Sequence, residues 1–515
     1  MTRNYRIYVD YRASLSLVGT VCKYIALPLS LPLGVAVVYG ESVLPFVVAV
    51  AVAIAGGTAL ERLDPDPEVG HREGLLVVSL AWLFVPLLGT VPYLVAGQGT
   101  VATPANALFE SMSGFTTTGA TVLDDISFAT HSRSILMWRQ LTQWLGGLGI
   151  IVMMVAILPQ LSVGGAQLIR EEAPGIDVEK LTPHIRETAR LLWTVYIALT
   201  VAAVAVYYGL NLAGLAENMD LYNAVAHAFT TLPTGGFSPE GRSIEAFSPA
   251  IQWVMIPFMI VAGTNFALLW HVSRGRPRRL TRNGEFRTYL LALAALGVLL
   301  AALLYVGEGL AYLPEEVAPI AGDVEHALRQ AFFQAAAIVT TTGYASMDFD
   351  AWSAPAKVAL LFAMFLGGSA GSAAGSIKIV RWYAIGKAAR RELFTSVHPE
   401  AVRPLRTSGE IIDEETLSGL FVFTLLFLAI FALGTMLLFL DAIRTPGLDL
   451  DAMEALSASA ATIGNVGPGF GVVGPMGNYE PFSTASKLLL VFLMWIGRLE
   501  ILSVLVILTP SYWRR

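Results

Sequence analysis

Stretches of predominantly apolar residues long enough to cross a bilayer as helix, about 20 residues each, fall near 22–40, 43–60, 74–96, 134–158, 190–213, 250–271, 288–306, 355–385, 416–441 and 485–509. Ten such spans put both chain ends on the same side. Between spans three and four, five and six, seven and eight, and nine and ten lie segments of moderate hydrophobicity that are too short to cross and end in Gly and Thr. Each reads as a re-entrant hairpin, in which a half-helix enters the membrane and the chain returns extended.

These segments resemble one another. "SGFTTTGAT" (113–121) is followed by "FTTLPTGGFS" (229–238), "AIVTTTGYAS" (337–346) and "SAATIGNVGPG" (459–469). Aligning Gly119, Gly235, Gly343 and Gly467 gives intervals of 116, 108 and 124 residues, each containing a span, a half-helix, a loop and a span. The expected fold is therefore all-α and polytopic, with four membrane-pore-membrane repeats around a pseudo-fourfold axis. The expected divisions are 1–72 (tail and two extra helices), 73–165, 166–280, 281–395 and 396–515.

Composition agrees with this pattern. The 515 residues are 55% hydrophobic and 14% charged, against roughly 25% charged in soluble domains. Cys22 is the single cysteine, so no intramolecular disulfide or multi-cysteine metal site is available. The N-terminus has basic residues but no small-residue cleavage pattern, and reads as a tail leading into the first span. Arg274, Arg276, Arg278, Arg279, Arg282 and Arg287 crowd one loop, whereas 306–328 holds Glu308, Glu315, Glu316, Asp323 and Glu325 without Lys or Arg. Arg381, Lys387, Arg390 and Arg391 mark another basic loop, and Arg514 and Arg515 end the chain. Positive charge collects on the cytoplasmic side, which places both termini there.

Four like loops around an axis make a pore. Cation filters use rings of backbone carbonyls in place of an ion's hydration shell, and successive carbonyls face one way only if the backbone alternates in handedness, which Gly tolerates. Threonine hydroxyls add oxygen without charge. Each half-helix also brings its negative C-terminal end, worth about half a charge, toward the centre. Uncharged oxygen rings favour a large monovalent cation, and potassium fits best. A single loop of this kind reads equally well as a turn between helices, but four copies at near-constant spacing favour a repeated device.

The chain resembles the Trk/Ktr/HKT superfamily of potassium transporters, most closely its TrkH-type subunits. The resemblance covers nearly the whole chain, including the two extra N-terminal spans. It rests on "FESMSGFTTTGATVL" (109–123), "WRQLTQWLGGLGI" (138–150), "LPTGGFS", "TTTGYAS", "GGSAGSAAGSIKIVR" (367–381), "HPEAVRPL" (398–405) and "WIGRLEI" (495–501). It implies a potassium filter with one signature glycine per loop, a homodimer in the cell inner membrane, and a cytosolic TrkA-like nucleotide-binding ring as gating partner. K+ is the transported ion, and no organic cofactor is implied. Carried over, the filter comprises Thr117, Thr118, Gly119 and Ala120; Pro233, Thr234, Gly235 and Gly236; Thr341, Thr342, Gly343 and Tyr344; and Asn465, Val466, Gly467 and Pro468. Potassium would sit at Thr118, Thr234, Thr342 and Val466. In plant relatives a Ser at the first signature position goes with sodium transport, so Gly119 favours potassium. The fourth loop departs most from the others, so the filter is expected to be asymmetric; each loop has one shared glycine rather than two flanking an aromatic, so fewer well-formed sites and looser selectivity than in strict tetrameric channels are expected.

Three further features carry chemistry. "LGGSAGSAAGSIKI" (366–379) interrupts span eight. Each Gly costs about 1 kcal/mol against Ala inside a helix, so Gly367, Gly368, Gly371 and Gly375 with their serines should unwind it. Close helix packing through small residues is the competing reading. The resemblance implies an intramembrane gate below the filter, ending at Lys378. "WLGGLG" (144–149), "AGTNFA" (262–267) and "WIGRLE" (495–500) lack such a run, so only the third repeat is expected to break. Arg498 lies deep in span ten, where a charge costs about 2.5–3.5 kcal/mol or more. It either pairs with Glu500 or another buried acid, or points into the pore beneath the gate and limits throughput. Finally, Glu110 and Gln334 each lie nine residues before their glycine and His227 eight before Gly235; these polar groups are expected to brace the filter from behind.

Other classes fare worse. His71, His131, His184, His227, His271, His326 and His398 are scattered, and no HExxH or Ser/His arrangement points to an enzyme. Inverted-repeat transporters carry repeats in twos, whereas these four loops face one side. A proton- or sodium-coupled symporter remains the alternative within transport, although no buried carboxylate relay stands out. The loop 274–287 reads first as a topology anchor only, with a docking surface for an acidic cytosolic face as the alternative. The chain has no nucleotide-binding βαβ pattern of its own.

Overall fold

The computed structural model describes residues 9–67, 70–156, 181–311, 320–401, 404–407 and 410–513. Apart from one hairpin, Leu405–Thr407 paired antiparallel with Glu410–Ile412, the described residues are helices and their connections. The first span differs from expectation. It is a helix over Tyr11–Tyr24, a turn, and a second helix over Ser30–Tyr39; Pro28 and Pro32 cannot supply the amide hydrogens a continuous helix needs. The helix at Tyr11 begins inside the expected tail, where the Asp10 side chain accepts from Arg12 N and Ala13 N. It crosses the second span, Leu44–Glu61, where Gly19 and Gly57 bring the backbones together. Lys23 pairs with Glu61 at 2.6 Å beside that crossing.

The outer helices of the repeats follow the hydropathy closely: His71–Gly89 continued by Val91–Ala96, Leu181–Leu212, Gly284–Val306 and Glu414–Ala442. Between them and the inner helices stand four short ones, the pore helices: Pro104–Phe115, Leu221–Thr231, Val324–Val339 and Ala452–Ile463. Each starts at a strong signal. Pro104 occupies the first turn of the first, and Asp220 and Asp323 cap the second and third through Asn223 N and His326 N. Asp451 and Glu454 form a reciprocal capping box on the fourth. Nearly every residue from Phe109 to Phe115 and from Phe333 to Val339 is buried, because these helices sit inside the ring of spans.

The inner helices correct one expectation. The eighth span is broken as anticipated, with helix over Ala354–Ala363 and Ile379–Val397 and none between. The sixth and tenth spans break as well, bending by 105° between Pro249–Ala262 and Phe266–Ser273, and by 112° between Thr484–Arg498 and Ile501–Leu508. The causes are local. Asn265 turns its side chain onto Ala267 N and Leu268 N and starts a new helix. Glu500 takes φ 61°, which no helix accommodates. The third repeat is distinguished by the length of its interruption rather than by having one. Conversely, Arg133–Ala156 runs unbroken through "WLGGLG". Gly146 there lies so close to Phe115 O that a Cβ would strike it, and Gly497 meets Ile463 O in the same way. These glycines seat a span against the end of its pore helix.

Candidate ion pathway

Each pore helix runs straight into its loop, and the four loops share one backbone. Thr117, Thr234, Thr341 and Asn465 have φ of 52°, 56°, 56° and 52°, and two residues later Gly119, Gly236, Gly343 and Gly467 have φ of 84°, 76°, 74° and 104°. The intervening amides bond back identically: Thr118 N to Ser113 O, Gly235 N to Thr230 O, Thr342 N to Ala337 O and Val466 N to Ala461 O, at 2.8–2.9 Å. Gly236, not Gly235, is therefore the counterpart of Gly119, and Gly235 stands where Thr118, Thr342 and Val466 stand. The expected alignment is therefore one residue out in the second loop, where Gly235 takes the place given to Thr234. Two adjacent glycines hid the register, which only the left-handed φ reveals.

The same register closes a ring. A Cβ on Gly119 would strike Gly235 O, one on Gly236 would strike Thr342 O, one on Gly343 would strike Val466 O, and one on Gly467 would strike Thr118 O. Every signature glycine thus lies against the carbonyl of the next loop's preceding residue, and the fourth loop returns to the first. Gly119, Gly236, Gly343 and Gly467 all line one small cavity of about 60 Å³, with Arg139, Glu240 and Tyr479 in its wall.

The hydroxyls are less available than their residue type implies. Thr118 Oγ1 is 2.7 Å from Thr116 Oγ1 and accepts from Asn465 Nδ2 at 2.9 Å, while Thr342 Oγ1 is 2.6 Å from Thr340 Oγ1. Thr234 Oγ1 donates to Pro233 O at 2.6 Å. Among the described residues, the carbonyls of Thr118, Thr342 and Val466 accept no hydrogen bond, so the ring offers mainly backbone oxygen. Gly235 O differs, accepting from Gln143 Nε2 at 2.7 Å. Asymmetry accordingly enters at the second loop as well as the fourth, where Asn465 ties its loop to Thr118 and to Met494 O at 3.0 Å.

The bracing groups fall where expected, and the corrected register improves their match, since His227 is nine residues before Gly236. Glu110 accepts from Thr121 Oγ1 and from Val122 N, each at 2.9 Å, and pairs with Arg139 at 2.6 Å. His227 Nε2 lies 3.1 Å from Ser238 Oγ, and Gln334 Nε2 donates to Tyr344 O at 3.0 Å. The fourth pore helix has Ala458 at this depth and uses Ser457 instead, whose hydroxyl accepts from Phe470 N at 2.9 Å. Tyr344 reaches back with its hydroxyl to Thr231 Oγ1 and His227 O, both at 3.1 Å, joining the third loop to the second pore helix.

Arg139 and Gln143 also stand behind the loops, although the repeat spacing does not mark them. Arg139 is buried against the ring of Phe237 at 3.6 Å and donates to Ser238 O at 2.9 Å, while Gln143 accepts from Phe237 N at 3.1 Å. They are four apart, on one helix face, and a buried Arg so spaced from a Gln was the available signal.

Below the ring, residues 364–378 form a loop. Its neck is closed by Gly367 N to Ile377 O at 2.8 Å and Ile379 N to Gly368 O at 3.2 Å. Near that neck it touches the third loop and the end of the fourth pore helix, with Gly375 N on Thr341 Oγ1 at 2.7 Å and no room for a Cβ between Gly375 and Gly464 O. Gly371 takes φ 73° beside Asn265, and Lys378 Nζ donates to Ala374 O. Arg498, buried, donates from Nη1 to Ala373 O at 2.8 Å. It does not pair with Glu500, which bonds Arg381 at 2.5 Å.

The family model of TrkH cation transport proteins matches residues 45–515. This chain belongs to the TrkH family. Among its relatives, the Trk system potassium uptake protein TrkH of Halomonas elongata is 33% identical over 98% of this chain and 100% of its own length. TrkH of Escherichia coli K12 is 34% identical with the same coverage. The crystal structure of the potassium transporter TrkH from Vibrio parahaemolyticus superposes with a TM-score of 0.84 at 31% identity, covering 98% of this chain and 100% of that one. The bent sixth and tenth spans and the long loop of the eighth thus belong to a TrkH-family chain with apolar helices of membrane-spanning length.

Proposed function

We propose that this chain takes up potassium across the cell membrane through the ring formed by its four loops. The observation that carries the reading is the closed cycle of glycine-to-carbonyl contacts from Gly119 through Gly236, Gly343 and Gly467 back to Thr118. Such a cycle presents uncharged oxygen, which replaces the hydration shell of a large monovalent cation. The relatives named as potassium uptake proteins support the choice of ion. In this reading Thr118, Gly235, Thr342 and Val466 supply the oxygens, and the loop 364–378 with Arg498 gates the path beneath them.

The finer assignments belong to the same proposal. The chain works as a homodimer in the inner membrane with both termini cytoplasmic, its four pore units dividing near 73, 166, 281 and 396. A TrkA-like nucleotide-binding ring acts on its cytosolic face. Purified protein in liposomes tests the mode of transport. Uptake that follows an imposed potassium gradient, unchanged when pH and sodium gradients are added or removed, is the expected result. Uptake that requires either gradient would replace this reading with a coupled symporter.

A further inference from the structure

Three consecutive residues of the loop 364–378 are held from outside it. Ser369 N donates to Gly263 O at 2.8 Å, Ala370 N to Glu285 Oε1 at 2.6 Å, and Gly371 O accepts from Phe266 N at 3.1 Å. The partners lie on the two flanks of one chain segment. Gly263 and Phe266 stand at the bend of the sixth span, and Glu285 stands in the first turn of Gly284–Val306. Between the flanks run Arg274, Arg276, Arg278, Arg279 and Arg282, all exposed.

Glu285 is the unusual member. It is fully buried, a position a carboxylate keeps only when its charge is met by donors. Its place supplies them: the first turn of a helix carries positive potential, Asn283 caps that turn by accepting from Phe286 N at 2.7 Å, and the loop offers the Ala370 amide. Gly284 beside it leaves room for Tyr383, from the helix that follows the loop; a Cβ would come within 2.7 Å of the Tyr383 hydroxyl. The bond from the Ala370 amide to this buried carboxylate stabilises one position of the glycine-rich loop.

We propose that Glu285 is the positioning residue that holds the intramembrane loop in its closed place, through the Ala370 amide. The inference rests on the reading of this loop as a gate. Motion of the arginine segment then reaches the loop from both sides at once, through Phe266 and through Glu285.

The test is potassium flux in liposomes for Glu285→Ala, Glu285→Asp, Glu285→Gln, a deletion of 370–375, and Glu285→Ala combined with that deletion. An ionic hydrogen bond to an amide carries about tenfold in an equilibrium, so Glu285→Ala should raise flux roughly tenfold. Its potassium to rubidium to sodium ratio should stay unchanged, because the filter is not touched. Glu285→Asp, one methylene short of the amide, should do the same and carries the test if the Ala variant does not fold. Glu285→Gln keeps the accepting oxygen and should restore low flux. The combined variant should match the deletion alone, since the residue acts through the deleted segment. Unchanged or reduced flux for monodisperse Ala and Asp variants, an altered ion ratio, or an effect that adds to the deletion would overturn the assignment of Glu285. A deletion that itself fails to raise flux would overturn the gate reading instead.

Discussion

Thr117, Thr234, Thr341 and Asn465 hold left-handed backbone that β-branched or polar residues adopt at a cost of about 1–2 kcal/mol each. Four such residues in one ring, each two before a glycine, are held there by the surrounding structure, as the proposed ion site requires. The register they define makes a sharp prediction about two adjacent glycines. Gly236→Ala puts a Cβ against Thr342 O at φ 76° and should collapse the potassium to sodium flux ratio. Gly235→Ala keeps its backbone out of the left-handed region and meets the tip of the Gln143 side chain first, so it should change that ratio less. Equal effects in reconstituted flux would remove the register. Behind the ring, Arg139→Leu leaves Glu110 buried without its cation and should cost about 3–5 kcal/mol, read as a large fall in thermal unfolding temperature in detergent. Adding Glu110→Gln should recover part of it. The sequence made the loops legible because Gly and Thr recur at fixed spacing. It could not choose between Gly235 and Gly236, since handedness leaves no mark where two glycines adjoin. Nor could it show that threonine hydroxyls bond one another while the carbonyls of Thr118, Thr342 and Val466 accept no hydrogen bond among the described residues.

Spans and pore helices were legible as elements because hydropathy and capping residues mark them, and Asp220, Asp323 and Asp451 start three pore helices as side-chain chemistry dictates. The breaks were legible only where they are long. Fifteen residues rich in Gly and Ser announce the interruption of the eighth span, but a bend of 112° at Leu499 and Glu500 needs just one left-handed residue. Arg498 sits at that bend, which turns its side chain toward Ala373 O instead of along the helix toward Glu500. Two outcomes belong to this scale. Deleting 370–375 should raise potassium flux in folded protein. Arg498→Ala frees Ala373 O and removes a buried cation from beneath the filter, so permeation should quicken by about tenfold, the scale of one charge-assisted hydrogen bond. Slower permeation at equal expression would count against the gate.

Across the whole molecule, four unequal copies of one unit close a ring that none of them forms alone. The first loop receives Asn465 from the fourth, the second pore helix receives Tyr344 from the third loop, and each glycine is seated on its neighbour's carbonyl. Fourfold spacing in the sequence foretold this, because units of similar length with loops on one side have only an axis to share. The links between copies were not legible, since they join residues separated by about a hundred positions or more. In the proposed function the ring selects potassium through backbone oxygen. The most direct measurement of that selection is the flux of potassium, rubidium and sodium through the purified protein in liposomes under identical gradients. Rubidium flux close to potassium, with sodium clearly lower, is the result the ring predicts; equal sodium and potassium flux would contradict it.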